Sequence, residues 1–201
     1  MERRKRRSAA EIVKLIDQAT EEIVREKGFE GLGIQEICDR AEIEPALFYR
    51  RYPEGLAFYT EQFIRNHDFW LISYNDSTVP ELRGTREELT KIFISLWEKV
   101  TSDTFFSSFL RLELQRNVPE AAREMARVRE ENTQKLVGLF ATDGDVSLTK
   151  RIQLALITAG LQYLALHKDV STFCGVDFNS IETKDLQAAL SGLSGYMTEE
   201  M

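Results

Sequence analysis

Apolar residues recur at three- and four-residue spacing along almost the whole chain, and few residues interrupt them. From Ser8 to Lys27, Ile12, Leu15, Ile16, Ala19, Ile23 and Val24 form one stripe. That period gathers side chains on one face of an α-helix, whereas a strand would alternate every second residue. Only 4 Pro and 11 Gly are spread over 201 residues, too few for the turn density of a sandwich or barrel. With 43% hydrophobic and 10% aromatic residues the chain carries enough apolar surface for a core, which excludes wholesale disorder. The expected fold class is all-α.

The breaks divide the pattern. Ser8 with Glu11 three residues later reads as a capping box opening the first helix, and Gly28 closes it. A short helix is predicted over 34–40, with Ile34, Ile37 and Cys38 on one face. Ala41-Glu42-Ile43 reads as a tight turn, and Pro45 suits the first position of a third helix over 45–51. A fourth, over 54–74, carries Leu56, Tyr59, Phe63, His67, Trp70 and Tyr74 on one stripe. A loop over 75–84 precedes helices over 85–100, 104–117, 119–140, 146–168 and 181–197.

Charge is unevenly placed. The chain holds 26 Lys and Arg against 33 Asp and Glu, net −7, yet Arg3, Arg4, Lys5, Arg6 and Arg7 stand together at its start. A basic arm on an acidic body suits a polyanion touched locally; a solvated tail is the plainer alternative. Lys14, Asp17 and Glu21 follow the arm where a signal peptide would be apolar, and no apolar run reaches the roughly 20 residues of a membrane span. A cytoplasmic protein with no membrane association is expected. Cys38 and Cys174 are two thiols far apart, neither a disulfide framework nor a metal site. No HExxH, phosphate loop or nucleophile elbow is present, so neither catalytic nor metal-binding residues nor a cofactor is expected.

The two short helices flanking a tight turn are the local pattern of a helix-turn-helix, whose second helix can enter a major groove. Gly28-Phe29, Ile34, Glu36-Ile37, Ala41, Ile43, Phe48-Tyr49, Tyr52 and Phe58 stand in register without a gap. In these residues the segment from Ile12 to Phe58 resembles the tetracycline-repressor-like (TetR) family of transcriptional regulators. The resemblance implies a DNA-binding domain over 1–55 and a helical ligand-binding and dimerisation domain over 56–201. It also implies a homodimer, most simply a repressor that a small apolar or aromatic molecule releases from a palindromic double-stranded operator.

Several positions depart from the family pattern. Gly33, Leu47 and Gly55 stand where Thr, Thr and Lys commonly meet phosphates, and Glu44 replaces the usual Ser cap of the recognition helix. A carboxylate can still accept helix N–H bonds, or accept from a cytosine amino group in the groove. The expected DNA-contacting set is the arm Arg3 to Arg7 with Gly33, Glu44, Pro45, Ala46, Tyr49, Arg50 and Arg51. The Tyr49 hydroxyl reaches a phosphate or its ring packs on the first helix. The absence of those phosphate-binding side chains defines an alternative function: a helical dimer without specific DNA binding, serving as a ligand-binding or protein-interaction module.

In the body, aromatic residues are either plain core or the wall of an effector pocket. The pocket reading takes Phe63, Asn66, His67, Trp70, Phe93, Trp97, Phe106, Phe109, Glu113, Gln162 and Tyr163. The helix over 146–168 is apolar on two faces, so it is covered twice, by its own chain alone or also by a second subunit. A two-fold four-helix bundle would use Ile152, Leu156, Ala159, Tyr163, Leu186, Leu190, Leu193 and Met197.

Overall fold

The structure is a computed structural model and describes residues 8–66, 85–138 and 146–198. Among the described residues its helices are α1 (Ala9–Lys27), α2 (Ile34–Arg40), α3 (Pro45–Arg51), α4 (Leu56–Asn66), α5 (Arg86–Ser102), α6 (Thr104–Glu113), α7 (Glu120–Gly138), α8 (Leu148–His167) and α9 (Thr183–Thr198), with a 3-10 turn at Phe29–Gly31. Among the described residues there is no strand, only one isolated bridge between Phe173 and Val176, and the class is all-α. The chain forms two compact units: α1 to α4 with α6 and the start of α7 to Ala126, and α5 with the rest of α7, α8 and α9.

Local rules account for the ends of these helices. Ser8 Oγ accepts from the Glu11 N–H at 3.2 Å while Glu11 Oε2 accepts from the Ser8 N–H at 2.6 Å, the capping box that the sequence suggests. Gly28, at φ 71°, ends α1 in a conformation that side chains rarely adopt. Thr85 and Glu88 form the same box at the head of α5, at 3.2 and 2.9 Å. Two of the differences from the expected helix ends have a local cause. Gly55, at φ 85°, keeps the chain out of helix until Leu56. The helix after Thr104 ends at Glu113, where Leu114 and Gln115 donate to the carbonyls of Arg111 and Leu112 and so tighten the backbone into turns. The residues expected to extend α4 over 67–74, and the loop over 75–84, lie outside the described residues, as does Phe140.

In the first unit α1 buries Ile16, Ala19, Thr20, Ile23 and Val24; Thr20 joins the expected stripe, while Ile12 and Leu15 are half-buried. Against it lies an aromatic chain. Phe48 of α3 meets Tyr59 of α4 at 5.4 Å between centroids, Tyr52 meets Tyr59 at 4.7 Å, and Tyr59 meets Phe63 at 6.0 Å. Phe63 meets Phe105 of α6 at 5.9 Å, and Phe29 touches both Phe105 and Phe109, at 6.3 and 6.4 Å. The Tyr59 phenol is a buried polar node of this chain. It donates to Asp17 Oδ1 at 3.0 Å and shares a 2.7 Å hydrogen bond with Thr20 Oγ1, which also donates to the Ile16 carbonyl at 2.8 Å. Burial, above all, raises the phenol far above its ordinary pKa, so it stays protonated and remains a donor.

Charges fasten α2 to α1. Arg40 reaches Glu26 at 2.9 Å, Glu36 at 3.4 Å and Glu22 at 3.9 Å, and Lys27 holds Glu36 at 2.9 Å. The hydrogen bond from Arg40 lowers the Glu26 pKa, and that from Lys27 lowers the Glu36 pKa. On the other side of this unit, Glu61 of α4 accepts from the N–H groups of Glu120 and Ala121 at 3.0 and 2.6 Å, which caps α7 with a carboxylate. Arg65 adds an ion pair to Glu124 at 3.0 Å.

In the second unit α5 packs on α8 and α9. It buries Leu89, Ile92, Phe93, Leu96 and Val100, facing Leu154, Leu161 and Ala165 of α8 and Leu186 and Leu190 of α9 in the same core. Arg86 Nε donates to the Ser191 carbonyl at 2.8 Å and lies over Gly195, where an added Cβ would meet the guanidinium carbon at 3.0 Å.

Two outcomes are expected from this packing. Tyr59→Phe keeps the ring contacts but removes the shared hydroxyl, and it should cost about 1–2 kcal/mol in urea unfolding. The second concerns acid. Because Glu26 and Glu36 titrate below their ordinary value of 4.5 in the fold, they add stability above that pH and lose it as pH falls through their folded values. Arg40→Gln should therefore flatten the fall of the melting temperature with pH below about 4.5.

Candidate nucleic-acid interface

The turn between α2 and α3 is set by backbone bonds. Ala41 donates to Ile37 O at 2.9 Å, Ile43 to Cys38 O at 3.0 Å and Glu42 to Asp39 O at 3.3 Å. Glu42 sits at φ 51°, a left-handed conformation unfavourable for a residue with a Cβ. Glu44 then takes the extended backbone of an N-cap, φ −78° and ψ 141°, and Pro45 opens α3.

One residue of α3 anchors it, and most of the others face outward. Phe48 is fully buried, and Tyr52 just beyond the helix is packed against it at 5.3 Å. Glu44, Ala46, Tyr49, Arg50 and Arg51 are exposed, while Pro45 and Leu47 are half-buried. Tyr49 meets only the edge of Phe48, at 6.1 Å, and its side chain is 51% exposed. About half of the residue is therefore open to solvent. Arg25, Lys27 and Arg40 are engaged in ion pairs inside the head, whereas Arg50 and Arg51 stand exposed at the end of α3. Arg51 also hydrogen-bonds Tyr52, whose phenol is raised in pKa mainly by burial and then by Asp17. An outward edge of N-terminal and C-terminal α3 side chains on a buried aromatic anchor is the geometry that presents a helix to a groove.

The departures from the family pattern find local explanations. Glu44 occupies the cap position, but its carboxylate makes no hydrogen bond to the helix, so the capping alternative is not the one taken. The side chain is one methylene longer than the Asp that suits this position. Gly33 caps α2 with extended backbone, φ −148° and ψ 145°, and a Cβ there would meet nothing within 4 Å. Gly55 differs: its φ of 85° suits glycine and would strain a lysine. The arm Arg3 to Arg7 lies outside the described residues.

The residues expected to line an effector pocket are divided by the fold. Phe63, Phe106 and Phe109 are buried in the first unit, with Glu113 half-buried at the end of α6. Phe93 is buried in the second unit, Trp97 and Gln162 are half-buried there, and Tyr163 is exposed beside His167, with which it stacks at 5.2 Å. Asn66 is exposed at the end of α4; His67 and Trp70 lie outside the described residues. Of the residues expected to join two subunits, Ile152, Leu156, Ala159, Tyr163 and Leu193 are exposed. Leu186 and Leu190 are instead buried within the subunit, and the side chain of Met197 is outside the described ones. Sequence reasoning passed over Asp17, Thr20, Arg40 and Glu61. Only the Glu36–Arg40 pair left a signal, its four-residue spacing, because the other partners meet across distant segments.

The arrangement defines a helix-turn-helix DNA-binding transcriptional regulator. Residues 15–54 match the family described as bacterial regulatory proteins, tetR family, which supports a regulator of that family. No curated protein and no solved structure matches the chain. Among the described residues no helix is long and apolar enough to cross a membrane, and no cluster of side chains is suited to a metal ion.

The unfilled cap yields an expected outcome. Glu44→Ser places a hydroxyl on a backbone already in cap geometry, and should stabilise the protein by about 0.5–1 kcal/mol in thermal unfolding.

Proposed function

We propose that this regulator works as a homodimer, a repressor that a small apolar or aromatic molecule releases from a palindromic operator. Residues 1–55 read the DNA and residues 56–201 form the ligand-binding and dimerising body of a cytoplasmic, non-enzymatic protein. The observation that carries the reading is the exposed edge of α3, with Glu44, Ala46, Tyr49, Arg50 and Arg51 held outward by buried Phe48. Arg50 and Arg51 supply cations for phosphate or guanine, and Ala46 suits a thymine methyl. In a dimer the two α3 helices would lie about one turn of DNA apart, roughly 34–36 Å. The exposed face of α8, Ile152, Leu156, Ala159 and Tyr163, with Leu193 of α9, supports a two-fold interface. The aromatic density of the body supports an apolar effector, which would release the operator by preferring the dimer geometry that cannot span both half-sites.

A second reading is favoured by a specific observation: the exposed carboxylates Glu42 and Glu44 flank a head that has Gly33, Leu47 and Gly55 in place of phosphate-binding side chains. Under it the protein is a helical dimer that has lost specific DNA binding and serves as a ligand-binding or interaction module. Selection from random duplexes separates the two, since an enriched palindrome supports the repressor and its absence the module.

For the operator complex, the double variant Arg50→Ala, Arg51→Ala should weaken binding and make its salt dependence shallower, by about 0.9 in log–log slope for each phosphate left without a cation. Binding that keeps its affinity and salt slope would remove both arginines from the DNA-binding set. Leu156→Glu, a charge at the centre of the α8 face, should leave a folded monomer in sedimentation and abolish palindrome binding in the same preparation.

A further inference from the structure

A groove of about 540 Å³ runs between the first half of α1 and the end of α3. Ala10, Val13, Lys14, Asp17 and Glu21 line it at helical spacing, so a strip of α1 apart from its buried stripe forms one wall. Arg51, the last residue of α3, belongs to the same groove. Its apolar part is made of small side chains, Ala9, Ala10 and Val13, over which a ligand can approach the helix closely.

The charges of the groove are not equally available. Asp17 accepts from the Tyr59 hydroxyl at 3.0 Å, and Glu21 is held by Arg25 at 2.7 and 3.1 Å. Both acids are therefore engaged within the head. The cations are not: among the described residues no carboxylate pairs with Lys14 or Arg51. Arg51 donates to the phenol of buried Tyr52, which anchors part of its guanidinium fork and leaves other N–H groups for a ligand. Two exposed cations beside methyl groups suit an anion with apolar flanks.

The exposure of the walls decides what kind of anion. Every residue that lines the groove is exposed or half-buried. A small ligand needs a site that encloses most of its surface, which this one does not. A polymer held at other points needs no enclosure. The groove shares Arg51 with the exposed end of α3, and in sequence Ala9 comes just after the basic arm. Phosphate oxygens would meet Lys14 and Arg51 while deoxyribose packs on Ala10 and Val13. Gly33, Leu47 and Gly55 bring no side chain for phosphate, and α1 supplies a replacement.

We propose that this groove seats a phosphodiester of the operator backbone between Lys14 and Arg51. The inference rests on the DNA-binding reading above and adds α1 to the contacting set. Such a contact fixes register and strengthens binding without reading a base.

The test uses the full chain and the duplex that it enriches from random sequences. Lys14→Gln should weaken binding to that duplex and to unrelated ones by a similar factor, roughly three- to tenfold, and make the log–log salt slope shallower by about 0.9. Lys14→Arg should restore both. Neutral methylphosphonates, placed singly along the duplex, locate the contact: wild-type affinity should fall at a phosphate whose replacement Lys14→Gln no longer senses. A folded Lys14→Gln variant with unchanged affinity and slope overturns the groove contact while the DNA-binding reading stands. So does a variant that keeps the full wild-type methylphosphonate pattern, or one weakened on a single sequence only. A wild-type protein that enriches no duplex overturns the DNA-binding reading and this inference with it.

Discussion

The N-terminal unit depends on where one phenol is buried. Tyr59 brings a hydroxyl into an otherwise apolar site, and an unpaired hydroxyl there would cost about as much as several packed methylenes return. Asp17 and Thr20 of α1 meet that hydroxyl, so α4 is held to α1 in one register. The rings of Phe48 and Tyr52 close on the same residue from the α3 side. The helix that faces outward is therefore positioned by a contact lying behind it. Shifting α4 along α1 would break both polar contacts at once, which gives this unit a discrete seat instead of a sliding one.

Electrostatics then sorts the head into an inside and an outside. Arg40 gathers three glutamates of α1 and α2, and Lys27 shares one of them, so both cations are engaged by carboxylates within the head. Exposed ion pairs of this kind contribute little stability one by one, but together they fix how α2 lies on α1. Arg50 and Arg51 remain turned outward. An acidic chain can thus present cations locally, and net charge describes it poorly. Glu42 and Glu44 stay exposed in the turn, where carboxylates would repel phosphates and favour base donors.

Much of the architecture was legible residue by residue. The stripe from Ile12 to Val24, the box of Ser8 with Glu11, the stop at Gly28 and the opening at Pro45 each follow from rules that act within one turn of helix. Their counterparts in the structure agree with them closely. The end of α6 was not legible, because apolar Leu114 continues the period and only the tightening at Leu112 and Gln115 stops it. Position 55 carried a misleading signal: a glycine standing where the family pattern has a phosphate-binding lysine is also required by its backbone conformation. For Leu186 and Leu190, periodicity marked an apolar stripe without saying whether α5 or another subunit covers it; the fold buries both within the subunit.

The sequence by itself determined the helical class, the positions of most helix ends and the helix-turn-helix in residues 34–51, since these depend on periodicity and capping over a few neighbouring residues. Tertiary structure alone decided which side chains of α3 face outward, which arginines pair, that Glu44 fails to cap, and that Tyr59 joins two helices 42 residues apart in its bond to Asp17. It also decided that Lys14 and Arg51, from distant segments, line one groove. The physical reason is range. Helix propensity and capping are local interactions, whereas burial and hydrogen-bond partnership are settled only when distant segments compete for the same space.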